Sequence, residues 1–516
     1  MNQTARIIII GAGTAGLSAG IYACLNGFDP LVLEMHNLPG GLCTAWRRRG
    51  YTFDGAIRYI TSRYEGGTPH QLWRELGILQ DAAFHYYDEF SCIEGQDGRQ
   101  LHFYTNTDQL EAHLLELAPG DADLIHEFAD GIRSFTRMQL QIDMTAADGR
   151  EMALIGRKML PVLLPTLKWR NTSLMAFVSR FKDPLLREAL PRFFQFSPPD
   201  FPIMLCLSTL ASMNDRESGY PLGGSLTIAR VLEERYKALG GQLHYKAKVA
   251  EVLVEDDRAY GVRLEGGEEI RADLVINAAD SKQAVFKLLG GNYLDEDVKA
   301  RFEGKVQPSQ SILQIGLGVA RDFSDQPPIF DFPLPEPVYL GNLRHERLVL
   351  KHYCFDPSMA KPGHSVLSLW CAADYDYWRW LAKDKQRYIA RKQEAAKTVI
   401  EALEQRFPGL AKTVEVVDVA TPLTYECYTG NWRGAFAGWA MSTRKMSYMM
   451  GKGMPKTLPG LEGFYMCGQW IEPGGNTELS CASGRDVIKD ICQDQGQPFY
   501  PDHKPATNQG IIYAKE

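Results

Sequence analysis

An uncharged run near the start of the chain, "IIIIGAGTAGLSAGIYACL" from Ile7 to Leu25, constrains the fold more than any other feature. Its length approaches the roughly 20 apolar residues that a membrane-spanning helix needs. Its composition argues otherwise. Ile7 to Ile10 are β-branched and suit a strand buried on both faces. Gly11, Gly13, Gly16 and Gly20 follow, with Thr14 and Ser18 where a spanning helix would carry long aliphatic side chains. The run reads as strand, turn and helix.

The spacing G-A-G-T-A-G over residues 11–16 is the dinucleotide fingerprint. Gly11 permits the tight turn, Gly13 lets backbone approach a pyrophosphate beside Thr14 and Ala15, and Gly16 lets helix pack on strand. The helix stops at Gly27, a second strand "PLVLE" follows, and Glu34 closes it about 20 residues downstream, where a carboxylate accepts hydrogen bonds from a ribose diol. Such a unit should hold an adenosine diphosphate moiety.

Three further segments decide which dinucleotide. "NLPGGLCTAWRRRGYTFDGAIRYI" carries Gly40, Gly41 and Leu42, then Phe53-Asp54-Gly55. Between Gly219 and Asp280 the pattern predicts a helix capped near Ser225, a Gly240-Gly241 stop, three strands and a return strand "ADLVINAAD". Between Gly460 and Ile491 a strand ending at Cys467-Gly468 feeds a Pro473-Gly474-Gly475 turn, and a helix begins near Asn476 or Thr477 with Glu478 in its first turn.

In this order the segments resemble the flavin amine oxidase superfamily, closest to its phytoene desaturase, carotenoid isomerase and retinol saturase branch. The resemblance spans nearly the whole chain and implies FAD. It further implies that Gly40, Gly41 and Leu42 lie against the phosphates and ribitol, and that backbone near Val249 meets the adenine. Gly468, Gly475, Asn476 and Thr477 are implied to bring a helix N-terminus to the flavin pyrimidine edge. The final turn departs from the pattern: Gly475-Asn476-Thr477-Glu478 stands where many carotenoid desaturases carry smaller, more apolar residues, which weighs against a purely hydrocarbon substrate.

The expected fold class is α/β, a Rossmann-type FAD-binding domain with a discontinuous substrate domain, a mixed β-sheet roofed by helices. The cofactor domain is expected from residues 1–85, 219–295 and 420–495. The substrate domain is expected from 86–218 and 296–419, and 496–516 form a C-terminal tail. At 516 residues the chain has room for two or more domains. Only one dinucleotide fingerprint is present, so electrons are expected to exchange with an external acceptor or donor.

The reaction implied is hydride transfer between a substrate C–H and flavin, a step for which the protein needs orientation, dry walls and at most one acid or base. Arg58 lies four residues after Asp54, where the family chain passes the flavin. It reads either as a cation for reduced flavin or a substrate oxygen, or as one half of a salt bridge. Glu478 and Glu472 read as a base, or as a capping residue and a solvated carboxylate respectively. Tyr220 either donates a proton or packs. The aromatic residues Tyr59, Tyr425, Tyr428, Trp432, Trp439 and Trp470 suit walls around a flat or polyene ligand, or ordinary core.

The greasy stretches Met159 to Arg170 and Phe201 to Met213 are too short and proline-broken to span a bilayer. They read as core, as a dimer contact, or as an interfacial patch or tunnel mouth with Lys168, Trp169 and Arg170 at the headgroup level. A formal net charge of -7 without basic runs beyond Arg47 to Arg49 excludes nucleic acid as the expected partner. Ten cysteines, scattered without a CxxC pair, read as reduced packing thiols in a cytoplasmic, or membrane-associated, protein, with no metal site expected.

The leading expectation is an FAD enzyme that desaturates, saturates or isomerises a lipophilic polyene or isoprenoid. The alternatives are an amine oxidase or reductive cyclase, and a prenyl-binding protein like the Rab GDP-dissociation inhibitors, which share the fold.

Overall fold

The computed structural model describes residues 4–61, 68–136, 167–300, 302–303, 307–440, 454–472 and 475–502. Its first layer is a parallel sheet of five strands in the order Phe464–Met466, Leu274–Asn277, Arg6–Ile10, Asp29–Glu34, Gln242–Tyr245. Arg6–Ile10 is the central strand, which explains its composition. Ile7 and Ile9 enter the core shared with the helices Thr14–Leu25, Ser225–Ala238 and Thr477–Asp494. Ile8 and Ile10 enter a second core against a small antiparallel sheet, Val249–Glu255, Arg258–Leu264 and Glu269–Arg271. Each such isoleucine stabilises the fold by roughly 1.5–3 kcal/mol.

The helix Thr14–Leu25 is rich in small residues because it is wedged between neighbours. Ser18 Oγ donates to the Cys481 carbonyl at 2.7 Å, and a Cβ on Gly484 would stand 2.3 Å from the Ala15 carbonyl oxygen. Its lack of charge therefore serves helix packing. Among the described residues no helix is long and apolar enough to cross a membrane.

Two local expectations change. Between Gly241 and Asp273 three strands are expected and four form: Gln242–Tyr245 joins the parallel sheet, and Val249–Glu255, Arg258–Leu264 and Glu269–Arg271 form the antiparallel one. Ser225 is the first helical residue and Gly224 the cap. The Ser225 hydroxyl instead donates to the Asp54 carboxylate and accepts from Ile57 N at 2.8 Å.

The second layer is a mixed seven-stranded sheet, ordered Val414–Ala420, Ile312–Val319, Ser365–Ala372, Leu343–His352, Ile329–Leu340, Glu89–Glu94, Gln100–Tyr104. One face, with Leu313, Ile315, Leu367 and Leu369, packs on the long helix Lys385–Arg406 through Ala395, Val399 and Leu403. The opposite face carries Gln314, Ser368, Trp370 and Lys351 and meets the hairpin Ala45–Arg48 and Tyr51–Asp54. Gly316 and Gly318 lie under the rings of Phe53 and Tyr51. The helices Thr107–Leu117, Ala122–Thr136 and Ile203–Asn214 cover the far end. This is the sheet roofed by helices that the residue pattern suggests.

Candidate active site

One cavity of about 920 Å3 runs from the carboxyl ends of the parallel strands into the helical roof. At its first end Glu34 is buried and accepts from Ala12 N at 2.7 Å and His36 N at 2.8 Å. Desolvation raises its pKa, and those backbone donors oppose the rise. Val249 lines the same end, held there because Ala247 N donates to the Glu34 carbonyl at 2.9 Å.

Next comes a cradle of two glycine turns. Gly40 N donates to the Ala12 carbonyl at 2.8 Å, and Gly13 and Gly40 form a parallel bridge. Gly40 has φ +107°, and a Cβ there would lie 2.1 Å from the Cys43 carbonyl oxygen, so no other residue fits that turn. Gly11, Thr14, Ala15, Gly41 and Leu42 line the cavity around it, whereas Gly16 lies beneath, where its Cβ would sit 1.9 Å from Gly11 O.

The cradle fits a dinucleotide. Thr14–Leu25 starts at Gly13 with no side-chain cap among the described residues and no acidic residue in its first turn, which leaves the positive helix end open to a phosphate. The buried Asn277 Oδ1, of a residue that lines the cavity, has no hydrogen-bond partner among the described residues, as a group awaiting a ligand donor would.

Beyond the cradle lie Gly468, Gly475, Asn476 and Thr477, all at the cavity wall. Asn476 caps the helix Thr477–Asp494 by accepting from Leu479 N at 2.7 Å. Glu478 is therefore not the cap. Its carboxylate accepts from Thr61 Oγ1, and desolvation pushes its pKa up to about 7. Glu472 does not line the cavity.

Arg58 also lines the cavity. Among the described residues it makes no ion pair. Its Nη2 donates to Gln195 Oε1 at 2.6 Å and its guanidinium lies 5.2 Å from the Trp370 ring centroid. Desolvation lowers its pKa.

Tyr220 is elsewhere. It is fully buried, absent from the cavity wall, and its hydroxyl donates to Asp54 Oδ2 at 2.6 Å. Of the two sequence readings, packing describes its position. Tyr59, Tyr428 and Trp470 line the cavity, whereas Tyr425, Trp432 and Trp439 do not.

The walls of the inner chamber are Phe135 and Phe194, which sequence patterns did not single out, Phe201 and Leu205 from the greasy stretch Phe201 to Met213, and Phe436. Phe194 and Phe201 ring centroids are 4.9 Å apart, as are those of Trp370 and Phe436. Thr61 and Gln195 were likewise unmarked, since a lone hydroxyl or amide has no sequence signature.

The membrane reading of Met159 to Arg170 lies outside the described residues up to position 166. In the described part Trp169 is only 3% exposed and packs edge-on against Phe177 at 5.5 Å, while Lys168 pairs with Glu127 at 3.3 Å. Trp169 is a core residue, drawn inward by the aromatic cluster, and not a headgroup anchor. Away from the cavity, Glu89, Cys92 and His102 lie together, with His102 Nδ1 2.8 Å from Glu89 and Nε2 3.9 Å from Cys92 Sγ. Both ring nitrogens are thus occupied by hydrogen bonds, which accounts for the grouping.

A parallel nucleotide sheet with a phosphate cradle, opening onto a second sheet's aromatic chamber, defines a dinucleotide-binding protein. The family model for flavin containing amine oxidoreductases matches residues 14–492. The chain belongs to that family, and its cofactor is FAD. It is 25% identical over 505 residues to prolycopene isomerase 1, chloroplastic, of an Oncidium hybrid cultivar, covering 95% of this chain and 84% of that protein. It is 26% identical over 441 residues to the lycopene-forming phytoene desaturase of Pseudescherichia vulneris, covering 81% and 86%. An oxidoreductase from Methanosarcina mazei shares the fold, with a TM-score of 0.58 at 17% identity, covering 94% of this chain and all of that one.

Proposed function

We propose that the protein desaturates, saturates or isomerises carbon–carbon bonds of a lipophilic polyene or isoprenoid. The observation that carries this reading is the continuity of the cavity from the glycine cradle into the chamber of Phe135, Phe194, Phe201 and Phe436. The named activities of the prolycopene isomerase and phytoene desaturase relatives support it.

In this reading FAD supplies hydride transfer, and the chain's own groups do the rest. Glu34 and Val249 receive the adenosine end, and Gly11, Gly13, Gly40 and Gly41 the pyrophosphate. The aromatic chamber orients the substrate and excludes water. Glu478, poised near neutrality, exchanges a proton with the substrate or with solvent. Residues 1–85, 219–295 and 420–495 chiefly serve the cofactor, with Arg58 and Phe436 reaching the chamber, and 86–218 with 296–419 serve the substrate. Electrons pass to or from an external partner.

An amine substrate is less well served, because Arg58 would repel an ammonium group in the chamber. Family membership removes the flavin-free prenyl-binding alternative. The test is anaerobic mixing of the FAD-loaded protein with a panel of carotenoids, retinoids and amines. Spectral change of the flavin with polyenes is expected, and reduction by amines alone sinks the reading.

A further inference from the structure

Arg58 occupies a position that a hydrocarbon ligand leaves unanswered. The residue follows the hairpin strand Tyr51–Asp54, and its guanidinium lies between Gln195 and the Trp370 ring. Gln195 takes one of five N–H donors. Trp370 offers a π face and no acceptor. The nearby Asp54 carboxylate is engaged by Tyr220 at 2.6 Å, by Ser225 and by Ala56 N at 3.1 Å, and it forms no ion pair with Arg58.

The nearby carboxylate is shared. Lys351, whose Nζ donates to the Ile57 carbonyl at 3.1 Å, is buried, and desolvation pushes its pKa down to about 7; the Asp54 charge opposes that fall and Arg58 adds to it, so Asp54 answers Lys351 as well as its hydrogen-bond donors. Glu478 is bonded to Thr61 and makes no ion pair among the described residues. Arg58 is half-buried at the cavity wall with no counter-ion among the described residues, a position in which an anionic ligand group would complete the pair. Phe194 on one side of Gln195, and Phe436 against Trp370, make the surroundings apolar up to that charge.

We propose that the chamber takes an apolar molecule bearing a carboxylate, and that Arg58 receives this head through its fork of N–H donors. This rests on the chamber being the substrate site. It gives the ligand a polarity, its apolar body along Phe194, Phe201 and Phe436 and its charged end at Arg58. Arg58 is then a specificity residue that fixes which carbon atoms face the cofactor.

The experiment titrates oxidised, FAD-loaded protein with two acid–alcohol pairs, retinoic acid with retinol and decanoate with decanol, following flavin absorbance. Each acid is expected to bind at least tenfold more tightly than its alcohol. Arg58→Gln should erase that preference and Arg58→Lys should restore part of it, with flavin content and melting temperature checked for both. Equal affinities within both pairs overturn the proposal, as does a variant that weakens acid and alcohol alike, or binding of neither acid. The wild-type comparison decides even if a variant does not fold. Decanoate binding over decanol while neither retinoid binds keeps the carboxylate site and removes the polyene reading. Equal binding of retinol and retinoic acid, with no response to decanoate or decanol, does the reverse.

Discussion

Tyr220 donates a 2.6 Å hydrogen bond to Asp54 across 166 residues of sequence, joining the strand that precedes the helix Ser225–Ala238 to the hairpin that carries Arg58. The pair is buried, and Asp54 also receives Ser225 Oγ and Ala56 N. Asp54 is thus a structural hub behind the cavity wall, and the tyrosine's pKa is held well above its ordinary value by burial and by this carboxylate. A phenol so held is a poor proton source at neutral pH.

Tyr220→Phe should therefore cost about 1.5–3 kcal/mol of stability, the range for a hydrogen bond to a carboxylate. Denaturant unfolding measures that loss. Flavin reduction by a saturating substrate should fall by less than about tenfold, or 1.4 kcal/mol of barrier. A hundredfold fall in a stable variant would return Tyr220 to the list of proton donors.

Trp169→Ala should act on the fold and not on lipid binding. The side chain is buried against Phe177, and a large aromatic removed from a core costs about 3–5 kcal/mol. Thermal melts and vesicle co-sedimentation separate the outcomes: a lower melting temperature is expected, with any vesicle binding unchanged.

The cradle was legible because its chemistry is local. Ile7 to Ile10, the Gly11–Gly16 spacing, Glu34 and the Asn476 helix start each satisfy a backbone requirement within a few residues. The chamber was not, because its partners meet through tertiary folding. Arg58 and Gln195 are 137 residues apart, and Thr61 and Glu478 are 417 apart. Aromatic content near a motif also failed to tell direction: Tyr220 and Trp169 face cores, while the unremarked Phe135 and Phe194 face the cavity. Periodicity assigns a residue to a face, and only the packed structure says what that face meets.

Gly13 and Gly16 should respond differently to one added methyl. At Gly13 a Cβ meets nothing nearer than the Gly40 carbonyl oxygen at 4.0 Å, so Gly13→Ala should fold normally while filling space beside the pyrophosphate. Its FAD affinity should drop at least about tenfold, roughly 1.4 kcal/mol. Gly16→Ala forces a Cβ to 1.9 Å from the Gly11 oxygen and should destabilise the apoprotein itself by about 1–3 kcal/mol. Flavin stoichiometry and apoprotein melting distinguish the two, and equal melting temperatures would contradict the packing argument.

Glu478 supplies the pH dependence. Its pKa rises from an ordinary 4.5 to about 7 because the folded protein desolvates the carboxylate, so the folded state binds the proton more tightly than the unfolded chain. The stability linked to that proton is complete below pH 4.5 and is lost as pH rises through 7. Glu478→Gln, which keeps a neutral side chain able to accept from Thr61, should abolish that loss. Paired denaturant titrations at pH 5 and pH 8 should show the variant gaining on the wild type at the higher pH. The same group should give flavin reduction an inflection near pH 7 that is absent in the variant. An inflection that persists in Glu478→Gln would assign the titration to another residue.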